Sequence, residues 1–307
     1  MILREALNLT KQSLSELDIP DALLEAELLL CHILNISRTQ LYTYPEKELE
    51  DGEFILLNQL IHRRLLHEPT AYILQHCGFY SSNFHVDRRV LIPRPETELL
   101  VERTINFVGI HLPIKHMLKI ADIGTGSGAI ATSLALALPK AIIYATDISK
   151  QALKVACLNF HRHNVHHRVI PLQGNLLAPL PETVDVIVAN LPYIAKNEIA
   201  ALAPEINNFE PIIALDGGQD GMDQICNLLY QLPEKIRPNG CVLLEIGQGQ
   251  DKFLRPLVHH LFPEAHVKVT ADLSGINRVL EIHEGISSLS GASVCSQAGS
   301  NKELTIF

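Results

Sequence analysis

The chain is short of positive charge, of long apolar runs and of paired cysteines. Its 25 Lys and Arg stand against 34 Asp and Glu, a net charge of −9. A protein that lives on nucleic acid usually carries a basic face, so the balance argues against DNA as a partner. No apolar run is long enough to span a bilayer, which argues against a membrane role. The stretch MILREALNLTKQ sets Arg4 and Glu5 in an amphipathic pattern and lacks a signal-peptide core. The six cysteines, at 31, 77, 157, 226, 241 and 295, include no CxxC. That spacing gives neither a zinc motif nor a disulfide framework. Reduced thiols in a cytoplasm, and no bound metal, are expected. There is no internal repeat.

What is present reads as globular: 307 residues, 47% hydrophobic and 19% charged, enough for one large domain and a small one. Residues 1–76 read as helical. Leu3, Leu7, Leu14 and Leu17 recur at near-helical spacing, as do Leu23, Leu24, Leu28, Leu29 and Leu30 behind Asp21, a candidate cap after Pro20. A third helix is expected from Gly52 to Leu66. This segment holds six basic and twelve acidic residues, a net −6. By charge alone it is a solvated acidic face. Cys77–Val86, followed by Val90-Leu91-Ile92, suggests a hairpin linking two domains. Pro95 then opens a helix running to about Val108.

From Leu118 apolar strands alternate with helices. Strands are expected over Leu118–Ile123, Ile142–Asp147, Val169–Gln173, Val184–Asn190 and Cys241–Ile246, with helices over Gly128–Leu138 and Lys150–Asn164. Continuous apolar strands with helical crossovers imply an α/β fold with a parallel sheet buried on both faces. His266–Thr270 and Arg278–Ile282, around Asp272-Leu273-Ser274-Gly275, are expected to form a terminal antiparallel hairpin. The Ser-, Gly- and Ala-rich end, from about Gly285, reads as a flexible tail.

Asp122-Ile123-Gly124-Thr125-Gly126-Ser127-Gly128 follows a strand and opens a helix. Glycines serve where a backbone turns sharply and a ligand approaches closely. Asp147 ends the next strand, 21 residues after Gly126, where a carboxylate can accept both ribose hydroxyl protons. The loop alone leaves three readings open: a dinucleotide site, a mere tight connection, or a site for S-adenosylmethionine, whose ammonium Asp122 would suit.

Asn190-Leu191-Pro192-Tyr193, at the end of the apolar run Val184–Ala189, breaks the tie. An amide nitrogen is a poor nucleophile, and no side chain deprotonates it usefully at neutral pH. It can instead be positioned and polarised. The Asn190 side-chain oxygen and the Leu191 backbone carbonyl can each accept one N–H of a planar NH2 group. Pro192 stiffens the turn and brings no competing N–H. Tyr193 is expected to pack against the flat group and keep out water.

With these stretches in place, the chain resembles the release factor glutamine methyltransferases, the HemK or PrmC family. The matching segments are Arg94–Glu98, Asp122–Ile130, Asp147–Ser149, Asn190–Ile194, Phe209–Pro211, Gly217–Gly221, Leu244–Gly247 and Asp272–Gly275. The resemblance implies a Rossmann-like class I methyltransferase sheet, mostly parallel, with a small N-terminal helical domain. The expected division is a release-factor-docking helical domain at 1–76, a hairpin linker at 77–98, a methyltransferase domain at 99–286 and a tail at 287–307. It implies S-adenosyl-L-methionine as cofactor and transfer to the glutamine N5 of the Gly-Gly-Gln motif in peptide chain release factors. The cofactor residues would be Asp122, Gly124, Thr125, Gly126, Ser127, Gly128, Asp147, Asn175, Leu176 and Asn190. Asn190, Leu191, Pro192 and Tyr193 would hold the substrate.

The chain departs from the family twice. Leu191 replaces a proline, keeping the carbonyl but implying a looser turn. Gly174-Asn175-Leu176 stands where an acidic residue near the adenine is usual; Asn175 can accept from the adenine amino group, and Leu176 is placed to cover the ring. Two rival functions remain, a nucleic-acid adenine N6-methyltransferase using the same clamp and a catalytically lapsed binding module. His161, His163, His166 and His167 read as a solvated loop, Glu210 as a group ordering the loop beside Asn190, and Cys157 and Cys226 as core filling. Arg94 is expected to meet a carboxylate, either of cofactor or of protein.

Overall fold

The computed structural model describes residues 1–16, 19, 21–112, 117–283 and 285–286. The expected tail at 287–307 lies outside the described residues. The first helices are α1 Leu3–Ser15, α2 Ala22–Leu34, α3 Arg38–Thr43, α4 Asp51–Leu65 and α5 Thr70–Leu74. Each turns an apolar stripe inward, so that Leu3, Leu7 and Leu14 meet Leu29, Leu30, Leu57 and Ile61 in a core of their own. Ser37 starts α3 by accepting from the Gln40 amide at 3.2 Å, while Gln40 Oε1 accepts from the Ser37 amide at 2.9 Å. Asp21 differs from expectation. It stands at the N-cap of α2 but in left-handed backbone (φ 55°), and its side chain makes no capping bond. A capping side chain normally reaches the first-turn N–H groups from extended backbone.

The hairpin pairs β1 His76–Phe79 with β2 Ser82–His85. Tyr80 and Ser81 both take positive φ (46° and 58°), the geometry of a tight two-residue hairpin turn. Val90-Leu91-Ile92 is irregular rather than a further strand. Val90 and Ile92 are buried there, and the Val90 carbonyl accepts from the Tyr72 hydroxyl at 2.6 Å.

A 3-10 turn at Pro95–Thr97 leads into α6 Glu98–His111. There follow β3 Lys119–Ile123, α7 Ala129–Ala137, β4 Ile142–Asp147, α8 Lys150–Arg162, β5 Val169–Gln173 and β6 Val184–Ala189. The chain then adds α9 Pro204–Phe209, α10 Asp223–Gln231, β7 Ile236–Glu245, α11 Asp251–Leu261, β8 His266–Ala271 and β9 Asn277–His283. The seven strands lie in the order β5-β4-β3-β6-β7-β9-β8. β9 runs antiparallel to both β7 and β8, and the other pairs are parallel. Side chains alternate across the sheet: Ile120, Val186, Val188 and Leu243 face Leu100, Leu134 and Ala156, while Ala121, Ile187 and Leu244 face Ile225, Leu228, Leu254 and Val258. Cys157 and Cys226 are only half-buried, each one step around its helix from the inward residues Ala156 and Ile225. No helix among the described residues is long and apolar enough to cross a membrane.

Strand order turns back between β3 and β6. A crevice opens at the carboxyl ends of strands at such a point, and that is where open α/β sheets bind ligands.

Candidate active site

The glycine turn leaves β3 with Gly124, Gly126 and Gly128 all at positive φ (72°, 54° and 80°). A Cβ on Gly128 would lie 2.6 Å from Phe160 Cε1, so the missing side chain is what lets α8 close against the loop. The Gly124 and Thr125 amides both donate to the Thr146 carbonyl at 2.9 Å. Thr125 and Ser127 are buried within the turn.

Asp122 is buried beneath the turn rather than placed on a cavity wall. Its Oδ2 accepts from the Thr125 hydroxyl at 2.6 Å and the Ala131 amide at 3.1 Å, and its Oδ1 has no partner. Burial pushes its carboxyl up to about 7. Asp147 ends β4 with Oδ2 accepting from the Gly126 amide at 2.9 Å and Oδ1 from the Ser149 amide at 2.8 Å. Burial raises its pKa too, against the pull of those two bonds.

Asn190 leaves β6 with Nδ2 donating to the Thr97 hydroxyl oxygen at 3.1 Å. The Leu191 side chain is only 4% exposed, and its Cδ2 packs against Gly124. The position expected to be loose is thus wedged against the glycine turn. The Tyr193 hydroxyl donates to Glu245 Oε1 at 3.4 Å, and the Tyr193 carbonyl accepts from Gln250 Nε2 at 3.0 Å. Burial, with the Glu245 charge, pushes the Tyr193 hydroxyl up to about 12.

A cavity of about 490 Å³ joins these parts. Gly124, Gly126, Asp147, Asn175, Leu176, Asn190, Leu191 and Pro192 line it; Asp122, Thr125, Ser127, Gly128 and Tyr193 are not among its lining residues. A second, shallow hollow lined by Met117, Lys119, Asp185, Arg237 and Pro238 contains none of the motif residues.

Several wall residues were not expected. Pro211, Ile212, Ile213 and Ala214 form one side, with Ile212 and Ile213 about half exposed (54% and 53%). Glu210 holds this segment down. Its Oε2 accepts from the Ile92 amide at 3.2 Å, and its Oε1 pairs with Arg94, which therefore meets a protein carboxylate. Burial raises the Glu210 carboxyl, opposed by Arg94. The Arg88 guanidinium lies 4.7 Å over the Phe209 ring. Thr97 and Glu245 were also unassigned, although both fall inside the motif stretches. His161 and His166 stack at 4.2 Å between ring centres. Among the described residues no group of three His, Cys, Asp or Glu is placed to hold a metal.

Glycine turn, strand-end carboxylate and a strand-end Asn-Leu-Pro-Tyr around one crevice define a Rossmann-like methyltransferase. The fold is shared with the hMettl16 catalytic domain solved with a MAT2A 3'UTR hairpin, at a TM-score of 0.51 and 15% identity over 76% of this chain and 81% of that one. Residues 5–74 match the PrmC N-terminal domain, and residues 101–206 match the methyltransferase small domain. The release factor glutamine methyltransferase of Koribacter versatilis is 39% identical over 91% of this chain and 98% of its own length. That of Moorella thermoacetica is 39% identical over 91% and 97%, and that of Bacillus anthracis 36% over 83% and 90%. The chain belongs to the release factor glutamine methyltransferase family.

Proposed function

We propose that the protein transfers a methyl group from S-adenosylmethionine to the side-chain N5 of the glutamine in the Gly-Gly-Gln motif of peptide chain release factors. The observation that carries this reading is the meeting of Asn190 and Leu191 with the glycine turn and Asp147 on one cavity.

The residues suit the cofactor. The cavity volume is in the range of small-molecule sites, roughly 300–1,000 Å³. Gly124 and Gly126 bare their backbone to it. Asp147 supplies acceptors for ribose hydroxyls, Asn175 an acceptor for the adenine amino group, and Leu176 an apolar cover. Asp122, Thr125, Ser127 and Gly128 shape the turn from behind. When bound, S-adenosylmethionine supplies an electrophilic methyl group on a sulfonium. Asn190 Oδ1 and the Leu191 carbonyl accept the two N–H groups of the substrate amide. They aim its nitrogen and favour the positive charge that develops on it. Pro192 stiffens this turn, and Tyr193 backs it from the Glu245 side.

In the same reading, residues 1–76 and the 77–98 linker seat the release factor, and 99–286 carries the chemistry. Glu25, Glu27 and Glu68 are engaged by Arg64, Arg38 and Arg63. Glu46, Glu48, Glu50 and Asp51 remain exposed, Glu46 in a solvated pair with Arg4 at 3.0 Å, close in sequence to exposed Tyr42 and Tyr44. Such a face complements a basic protein surface. The cytoplasm, where termination takes place, is the compartment, and free thiols at Cys31, Cys77, Cys157, Cys226 and Cys241 accord with it.

A radiolabelled methyl-transfer assay tests the reading with three acceptors: release factor, its motif Gln→Ala variant, and duplex DNA. Label is expected on the factor, and to be lost with the Gln→Ala change. Label on DNA instead would make this an adenine N6-methyltransferase. No label on any acceptor would leave a binding module.

A further inference from the structure

We infer that Thr97 and Glu245 are positioning residues that fix which end of the Asn190 carboxamide faces the substrate. This rests on the amide-methylation reading and deepens it.

The oxygen and the NH2 of a carboxamide have nearly the same shape, so an asparagine fits its place about equally well after a half-turn of its amide. Chemically the two orientations are opposites. With Oδ1 toward the cavity, Asn190 accepts from an incoming NH2 group. With Nδ2 there, donor meets donor, and the clamp repels what it must hold.

Two contacts set the polarity. Asn190 Nδ2 donates to Thr97 Oγ1 at 3.1 Å. A hydroxyl both donates and accepts, so Thr97 alone does not choose a direction. Glu245 chooses it. Ala189 pairs with Leu244, so Asn190 and Glu245 leave neighbouring strand ends. Glu245 is buried there beside Thr97; burial raises its carboxyl, and the Thr97 hydroxyl, the Arg278 charge and the Tyr193 hydroxyl pull it back toward the charged form. An ionised carboxylate only accepts. In the inferred arrangement the Thr97 proton turns to Glu245, its lone pairs face Asn190, Nδ2 donates to Thr97, and Oδ1 is left for the cavity. Tyr193 donates to the same carboxylate at 3.4 Å. Both polar side chains of the tetrapeptide thus refer to one buried carboxyl group, Asn190 through Thr97 and Tyr193 directly. Burying an acceptor-only group with an unpartnered oxygen, here Oε2, is costly. A role in setting direction accounts for its presence.

The experiment compares wild type with Thr97→Val, Thr97→Ser and Glu245→Gln. It reads kcat and KM for release factor, S-adenosylmethionine affinity by calorimetry, thermal melting, and exchange of the Asn190 side-chain NH2 protons by NMR. Valine keeps the shape of threonine without its hydroxyl; serine keeps the hydroxyl; glutamine can donate to Thr97 and so permits the reversed amide. Expected is a fall in kcat of about ten-fold for Thr97→Val and Glu245→Gln, as for a misaimed reacting group, with KM and cofactor affinity changed by less than about three-fold. Thr97→Ser is expected to restore most of kcat, and the Asn190 NH2 protons are expected to exchange faster in Thr97→Val than in wild type. Wild-type kcat in both Thr97→Val and Glu245→Gln would overturn the inference, as would a Thr97→Ser variant no better than Thr97→Val. If Thr97→Val melts early, Glu245→Gln decides. A wild-type protein that leaves the factor unlabelled refutes the functional reading instead. The NH2 exchange rates still report the amide orientation, and equal rates in wild type and Thr97→Val overturn this inference separately.

Discussion

Arg64 of α4 reaches Glu205 of α9, Nη2 to Oε2 at 2.9 Å, and so ties the amino-terminal helices to the segment that walls the cavity. The same guanidinium holds Glu25 through Nε at 2.6 Å and Nη2 at 3.2 Å. Arg64 is buried, so removing it leaves Glu25 poorly solvated and unpaired. Arg64→Ala is expected to cost about 3 kcal/mol in chemical denaturation, the scale of a broken buried pair. Glu205 is more exposed, and Glu205→Gln is expected to cost less than about 1 kcal/mol. Its effect belongs in hydrogen exchange, where amides of 204–216 should open faster. Unchanged exchange there would show that the bridge does not hold the wall.

In the proposed clamp, Asn190→Ala removes one of the two acceptors that aim the substrate nitrogen and touches little of the glycine turn. Turnover is expected to fall by about 100-fold or more, as when a preorganised polar group is deleted from a catalytic site. Affinity for S-adenosylmethionine should stay within about three-fold, because in the proposed site that binding draws on Asp147, Asn175 and Leu176 as well. Matching losses in calorimetric affinity and in turnover would reassign Asn190 to the cofactor pocket.

Much of this was legible in the sequence, for identifiable reasons. β4 occupies Ile142–Asp147 as expected, because a strand buried on both faces is a continuous apolar run. The site residues at strand ends follow from the same runs. Four things were hidden. The helix α11 contains Pro256, which locally reads as a breaker. Strand β7 starts at Ile236 rather than Cys241, because the polar stretch after Ile236 is drawn in by pairing with Val184 around an irregular register. Asp122 adjoins the glycine turn in sequence, yet strand alternation carries its side chain under the loop with Ile120, away from the cavity. Thr97 and Asn190 lie 93 residues apart, and only the sheet register brings them together.

Gly128→Ala tests the close approach of α8 to the turn. The new methyl would meet Phe160 Cε1 at 2.6 Å and the Ala156 backbone at 3.2 Å, at a φ of 80°. Left-handed strain and overpacking together are expected to cost about 3 kcal/mol in denaturation. At Gly126 the methyl would meet only the Gly124 carbonyl, at 3.9 Å, so Gly126→Ala should cost only about 1 kcal/mol. Equal costs at the two positions would mean that Phe160 yields freely.

Reversing charge at the exposed acids probes docking. Glu46→Lys with Glu48→Lys is expected to raise KM for release factor about ten-fold at low salt, with the gap narrowing as ionic strength rises. Turnover at saturating factor should hold, since neither residue approaches the cavity. A KM indifferent to both changes would move the docking face elsewhere on the molecule.

Asp122 gives the pH dependence a definite sign. Its carboxyl is pushed up to about 7 by burial, and in the unfolded chain it ionises near about 4. Between those values the folded protein keeps a proton that the unfolded chain has released. Its contribution to stability therefore falls as pH rises through the window and levels off above about 7. Asp122→Asn keeps an oxygen for Thr125 but does not titrate. Urea denaturation of both proteins from about pH 5 to 8 should show the difference moving against wild type by about 1 kcal/mol per pH unit, then flattening. A difference constant across that range would mean that Asp122 ionises like an ordinary carboxylate. Its Oδ1 would then have to be solvated, and the loop would rest on a charge.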